Sequence, residues 1–420
     1  MIDNPISAQN RVRYHWFFSF LFFSVFGLTA LYVFASPFPY TTAITNISFH
    51  LAVIIAVVFY ACRIYPLVFL TPVTIPFMLF FLWASLSLIW ALNFENTLND
   101  IRAHLLNHLI LFFIIVNFFN SKKRLQFLIW TVLLSALVFS VIGMVYYYII
   151  MGSSIMDIRF GGLLADRRHV WVELPVNAVG VLSIPAMLFC YYFYEKESSS
   201  LLKVFLTLSA IVIFSATVLT QSRGTLVAVC VSGLILLFFK NKKLVPVFLI
   251  IIIIVMAFSP FKNRLDTHNF SARIKINYAS IQVVKDYPLL GIGYGINTFA
   301  ENLDLQDYVG RVPEHLRPAV ILGPHSWLLD LMVRLGLIGL VIFLSILIAF
   351  ARMSWSIIKH ARDKMSRDLA IYLTIAFVSY FVIGLAEPLF IFSAPSIIFY
   401  VLVAMMTILW MINSHDSSAP

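Results

Sequence analysis

The chain has 420 residues, of which 61% are hydrophobic and only 11% charged, with a formal net charge of +10. A soluble domain carries about 25% charged residues, so a water-soluble globule is excluded and the composition suits a chain solvated by lipid. Nucleic acid is not indicated as a partner, because the basic residues are scattered and no recognition motif accompanies them.

Apolar stretches without formal charge recur along the chain, from WFFSFLFFSVFGLTALYVFA (16–35) to LVPVFLIIIIIVMAFS (244–259). A helix needs about 20 such residues to cross the hydrocarbon core, and its backbone must satisfy its own hydrogen bonds there. The alternating pattern of a membrane β-barrel is absent. The expected fold is therefore an all-α polytopic membrane protein with a single membrane domain over 1–420. About 12 transmembrane helices are predicted, at 16–36, 44–62, 72–92, 104–120, 125–150, 175–194, 204–220, 225–239, 244–259, 326–350, 369–387 and 390–412. The first is too long for a signal-peptide core and lacks a small-x-small cleavage site, so it is taken as a spanning helix.

Twelve spans place both termini on one side. The loops of that side hold 16 of the 29 lysines and arginines, including the clusters at 122–124 and 240–243 and the run RMSWSIIKHARDKMSR at 352–367. The positive-inside rule makes this the cytoplasmic side. Arginines facing outward then need a reason, and Arg159, Arg167, Arg168 and Arg223 are among them. The long outer segment 260–325 has seven bases against six acids and is predicted to form a helical cap; 151–174 is a smaller outer loop. Cys62, Cys190 and Cys230 lie in or beside apolar segments with no CxxC spacing, which suggests neither a disulfide framework nor a zinc site.

Three segments carry residues suited to chemistry. In VLTQSRGTL, Arg223 lies between two spans, with Gly224 for a bend and Thr225 as a cap for the next helix. A snorkelling arginine at the lipid boundary and an anion-binding fork both fit this placement. In NFSARIKINYASIQVVKDYP, Ser271 is a plausible N-cap and Asp286-Tyr287-Pro288 a stop. Ile274, Tyr278, Ile281 and Val284 then share one face of an amphipathic helix lying on the membrane or in the cap. Arg273 would occupy its first turn, where the macrodipole disfavours a cation by about 0.3–1 kcal/mol and an incoming anion would relieve that penalty. The alternative is an arginine touching lipid headgroups.

His325 follows Gly323-Pro324 at the start of the tenth span. Proline favours a helix start, so the imidazole is expected in the first turn, where the dipole keeps it neutral and basic. A hydrogen-bonded boundary histidine fits the same position. Asp330 and Arg334 are four apart and expected to pair, and Glu387 is placed to meet an arginine or His325. LLGIGYGIN (289–297) has GxGxG rather than GxGxxG and no flanking strand, so it is expected to be a flexible turn beside the site. No metal-ligand spacing and no GxSxG elbow occur.

In their order along the chain, VLTQSRGTL, SARIKINYASIQVVKDYPLLGIG, HSWLLDLMVRLGLIGL and GLAEPLFIFSAPSIIF resemble the O-antigen ligase family. The resemblance covers essentially the whole chain; the arginine–long loop–histidine order is shared with O-antigen polymerases and protein O-oligosaccharyltransferases. It implies transfer of a glycan from undecaprenyl diphosphate to a sugar hydroxyl of the lipid A–core, at the periplasmic face of the inner membrane, without metal, nucleotide or other cofactor. It further implies that Arg223 and Arg273 hold the diphosphate and that His325 acts as base or orients the acceptor. Glu387 falls where an acid is common, and Arg159 in MDIRFGG matches a weaker basic position. The family commonly has Asn after the histidine, whereas Ser326 stands here. A polymerase joining lipid-linked repeat units would need the same donor site. A lipid-linked oligosaccharide transporter is the rival of a different class, disfavoured by the scarcity of ionisable residues within spans.

Overall fold

The computed structural model describes residues 8–62, 67–155, 160, 176–258, 268–319 and 323–417, and among them there is no β-strand. The first helices are α1 (Ala8–Ala35), α2 (Thr42–Ala61) and α3 (Thr74–Leu86). Then α4 (Phe94–Asp100) runs through a π-helical turn into α5 (Asn107–Phe118). Next come α6 (Lys122–Met144), α7 (Val179–Lys196), α8 (Ser200–Leu219), α9 (Arg223–Lys240) and α10 (Val245–Phe258). The segment between α10 and the tenth predicted span contributes α11 (His268–Asp286), α12 (Thr298–Asn302) and α13 (Leu305–Gly310). The chain closes with α14 (Trp327–His360), α15 (Lys364–Gly384) and α16 (Ser393–Ser417).

A helix lies at every predicted span, and among the described residues nine are long and apolar enough to cross a membrane. The helices α3, α7 and α10 coincide with the other three spans but are not among the nine. The protein is a multi-pass helical membrane protein. Large side chains such as Ile54, Leu201 and Ile253 point outward, as only a lipid solvent would favour. The last helix, α16, is the most enclosed span, with 83% of its apolar window buried against 22% for α2. Around it Phe343, Phe377, Phe381, Phe390 and Phe399 form a continuous aromatic cluster, with Phe350 and Phe377 stacked at 3.7 Å.

Side-chain contacts set the helix directions. A Cβ on Gly180 would meet Thr225 and Ile383, so the starts of α7 and α9 lie against the end of α15. At the opposite ends, Lys240 bridges Glu195 at 2.8 Å and Asp368 at 3.3 Å. Lys122 meets Asp363 at 2.9 Å. The basic clusters 122–124 and 240–243 and the turn before α15 therefore share one end of the bundle, as their charge anticipates. Most of the loop 151–174 lies outside the described residues.

The glycine segment after α11 is not a flexible turn. Helix α14 is broken at Gly336, where φ is 66° and ψ −172°, a backbone conformation essentially reserved for glycine. The break frees backbone groups on both sides. Ile292 and Gly293 donate to the carbonyls of Val333 and Arg334 at 2.9 and 3.0 Å, while Leu337 and Ile338 donate to Pro288 and Leu289. The next four amides, of Tyr294, Gly295, Ile296 and Asn297, donate to Ser87, Thr97, Asp100 and Asn96. Six consecutive N–H groups are thus paired, as a segment threaded into a membrane protein requires. A Cβ at Gly291 would stand 2.5 Å from the Arg334 backbone and one at Gly336 2.1 Å from the Leu289 carbonyl oxygen. Glycine is needed here for close approach, not for mobility. The expected Asp330–Arg334 pair forms at 3.3 Å, and both residues are buried. The guanidinium donates mainly to the Tyr294 carbonyl, so the pair also clasps this strap.

Candidate functional site

Arg223 is the first residue of α9. The preceding turn is built by hydroxyl groups: Thr220 Oγ1 accepts from Ser222 N at 3.2 Å, and Ser222 Oγ accepts from Thr225 N at 3.3 Å. Ser222 is the N-cap, and not Thr225 as expected, because the helix starts at Arg223. The bend also falls on Gln221 (φ 51°) rather than Gly224; its side-chain amide donates to the Ile155 carbonyl at 3.1 Å. A Cβ on Gly224 would meet Ala386 Cβ at 3.8 Å, ordinary contact, which sets the start of α9 beside the end of α15. The Arg223 side chain is half-buried and has no acceptor among the described residues.

Arg273 lies on α11, which already runs at His268, so Ser271 is not its N-cap and Arg273 belongs to the second turn. The free N–H groups of a helix start therefore do not surround its guanidinium. Of the apolar stripe of α11, Ile274, Tyr278 and Ile281 are exposed, as a face lying on a membrane would be, while Val284 packs inward and Ala279, Ser280 and Val283 are fully buried. Most of the stripe is turned away from the protein, and α11 docks by Ala279, Ser280 and Val283. Arg273 Nη2 donates to Glu387 Oε1 at 2.6 Å. Glu387 is buried just beyond the end of α15, whereas Arg273 keeps one third of its side chain exposed, at 33%.

His325 precedes the helix instead of lying in its first turn, because Ser326 is the N-cap of α14 with extended φ and ψ of −160° and 134°. Pro324 is accordingly not the first helical residue. The peptide N–H of His325 donates to Asn277 Oδ1 at 3.1 Å. Its Nδ1 is buried without a partner among the described residues, and so is Nε1 of Trp327 two residues on. Burial, and then the nearby Arg273 guanidinium, push the imidazole below its ordinary range. The ring is held neutral by desolvation and a like charge, not by a helix dipole.

Trp327 fixes the start of α14 against α15: its Cδ1 lies 2.8 Å from the Cβ position of Gly384, and its ring packs on Phe381 at 4.9 Å. The structure thus brings Arg273, Glu387 and His325 together and sets the start of α9 against the same end of α15. Arg159 lies outside the described residues. Asn277 and Trp327 are partners that the residue pattern alone did not single out. Asn277 is four residues after Arg273, hence on the same helix face, and that spacing was the available signal.

Residues 208–344 match the model of the O-antigen ligase family. Over this stretch the chain is similar to that family. The matched stretch holds Arg223, Arg273, Asn277 and His325, whereas Arg159 and Glu387 fall outside it. Members of the family are glycosyltransferase-like enzymes of lipopolysaccharide biosynthesis. No curated protein matches the chain.

Proposed function

We propose that the protein is an O-antigen ligase of the inner membrane, with both termini cytoplasmic and its site facing the periplasm. It transfers a glycan from undecaprenyl diphosphate to a sugar hydroxyl of the lipid A–core. The observation that carries this reading is the grouping of Arg273, Glu387 and an imidazole with an unpartnered Nδ1 at one end of the bundle. A guanidinium has five N–H donors, and Glu387 engages one of those of Arg273. The carboxylate orients the fork and leaves donors for a phosphate. Arg223, which has no protein acceptor among the described residues, supplies the second cation, and Arg159 a weaker basic contact.

A diphosphate leaves readily once its charge is neutralised, so two arginines suffice in the role a metal plays elsewhere, and no cofactor is invoked. His325, neutral at pH 7, removes the proton of the attacking hydroxyl. The hydroxyl oxygen forms the new bond at the anomeric carbon while the bond to the diphosphate oxygen breaks, and configuration inverts. The test supplies purified protein with lipid-linked glycan and either lipid A–core or a second lipid-linked unit. Ligation to lipid A–core is the expected product. Elongation of the lipid-linked unit alone would make the enzyme a polymerase, and flipping without glycan transfer would make it a transporter.

A further inference from the structure

We infer that Asn277 is a positioning residue that holds His325 in register with Arg273, so that the base meets the attacking hydroxyl, an inference that rests on the reading of His325 as the base. Two groups 52 residues apart in sequence must be held in register: His325 in the extended stretch before α14, and Arg273 on α11. One turn of α11 does this. Arg273 and Asn277 are four residues apart and so lie on one face. The first donates to Glu387 beyond α15, and the second accepts the His325 peptide N–H at 3.1 Å. The His325 ring has no protein hydrogen bond among the described residues, so its place follows from its backbone, and its backbone is tied by Asn277. Without that acceptor a partly buried N–H loses its partner and the residue is free to shift; misplacement of a reacting group by about 1 Å costs on the order of 100-fold in rate.

The experiment measures transfer kinetics of the full chain in lipid nanodiscs, over a pH series, for wild type, Asn277→Ala, Asn277→Asp and His325→Gln. Asn277→Ala is expected to lower kcat about 10- to 100-fold, with KM for the lipid-linked donor unchanged within about twofold because the arginines are untouched. Asn277→Asp restores the acceptor oxygen and recovers most of kcat. Its added negative charge favours the imidazolium, so the acidic limb of the pH profile moves to higher pH. A purely structural role for Asn277 predicts loss of folded protein in Asn277→Ala and no displaced limb in Asn277→Asp. Wild-type kcat in Asn277→Ala, or an unmoved limb in Asn277→Asp, overturns the inference. An inactive His325→Gln beside a fully active Asn277→Ala removes only the positioning role, whereas an active His325→Gln removes the base and the positioning role together.

Discussion

Two polar groups flank the start of α14 and are built on opposite principles. Asp330 and Arg334 are almost wholly inside the protein, with each other, the Tyr294 carbonyl and the strap as partners. A few residues earlier, His325 Nδ1 and Trp327 Nε1 are buried with no partner among the described residues, and Arg223 has no acceptor there. The first group is complete within the chain and fixes the fold. The second is incomplete, and in a membrane an unpaired polar atom is costly to keep unless something else meets it. Residue type alone does not make this distinction, since both groups contain an arginine.

That contrast is open to direct attack. The largest effect is expected from Arg334→Leu, which leaves the Asp330 carboxylate buried and unpaired and should destabilise the protein by about 3–5 kcal/mol. Size-exclusion recovery after heating checks this; a variant as heat-resistant as wild type would place Arg334 outside the framework. Gly336→Ala should follow at about 3 kcal/mol, combining a glycine-only conformation with a clash against Leu289. The same heating series reads it out. In the second group the effects move from stability to chemistry. His325→Ala is expected to lower transfer 100- to 10,000-fold while leaving heat resistance nearly unchanged. In the wild type, activity should hold at neutral pH and fall only below the ordinary imidazole range, because protonation removes the base and its pKa is lowered. A limb at or above that range would mean that Arg273 and burial do not govern the ring. The smallest stability change, within about 0.5 kcal/mol, is expected for Arg223→Ala, with weaker donor binding as its readout. A marked loss of heat resistance would move Arg223 into the framework.

Much of the architecture was legible in the chain itself. Uninterrupted apolar runs place a helix at each predicted span, and the clusters at 122–124 and 240–243 foretell which helix ends meet. Residue type and motif singled out Arg223, Arg273 and His325, and the fold brings the last two near each other. The local geometry was not legible. Helix α11 already runs upstream of Ser271, so Arg273 lies outside the first turn. The apolar stripe of α11 was legible as a face for membrane or cap, but the packing face of Ala279, Ser280 and Val283 was not. The glycine strap looked mobile because glycine spacing does not reveal that Val333 and Arg334 offer it carbonyls. Glu387 was open between two partners, and only the fold assigns it to Arg273.

The most direct test is a structure determined in lipid with a polyprenyl diphosphate bound. Phosphate oxygens within hydrogen-bonding distance of both Arg223 and Arg273, with the His325 ring facing the first sugar carbon or its replacement, are the expected result. A diphosphate bound elsewhere, with Arg273 held by Glu387 alone and His325 facing no substrate atom, would contradict the account.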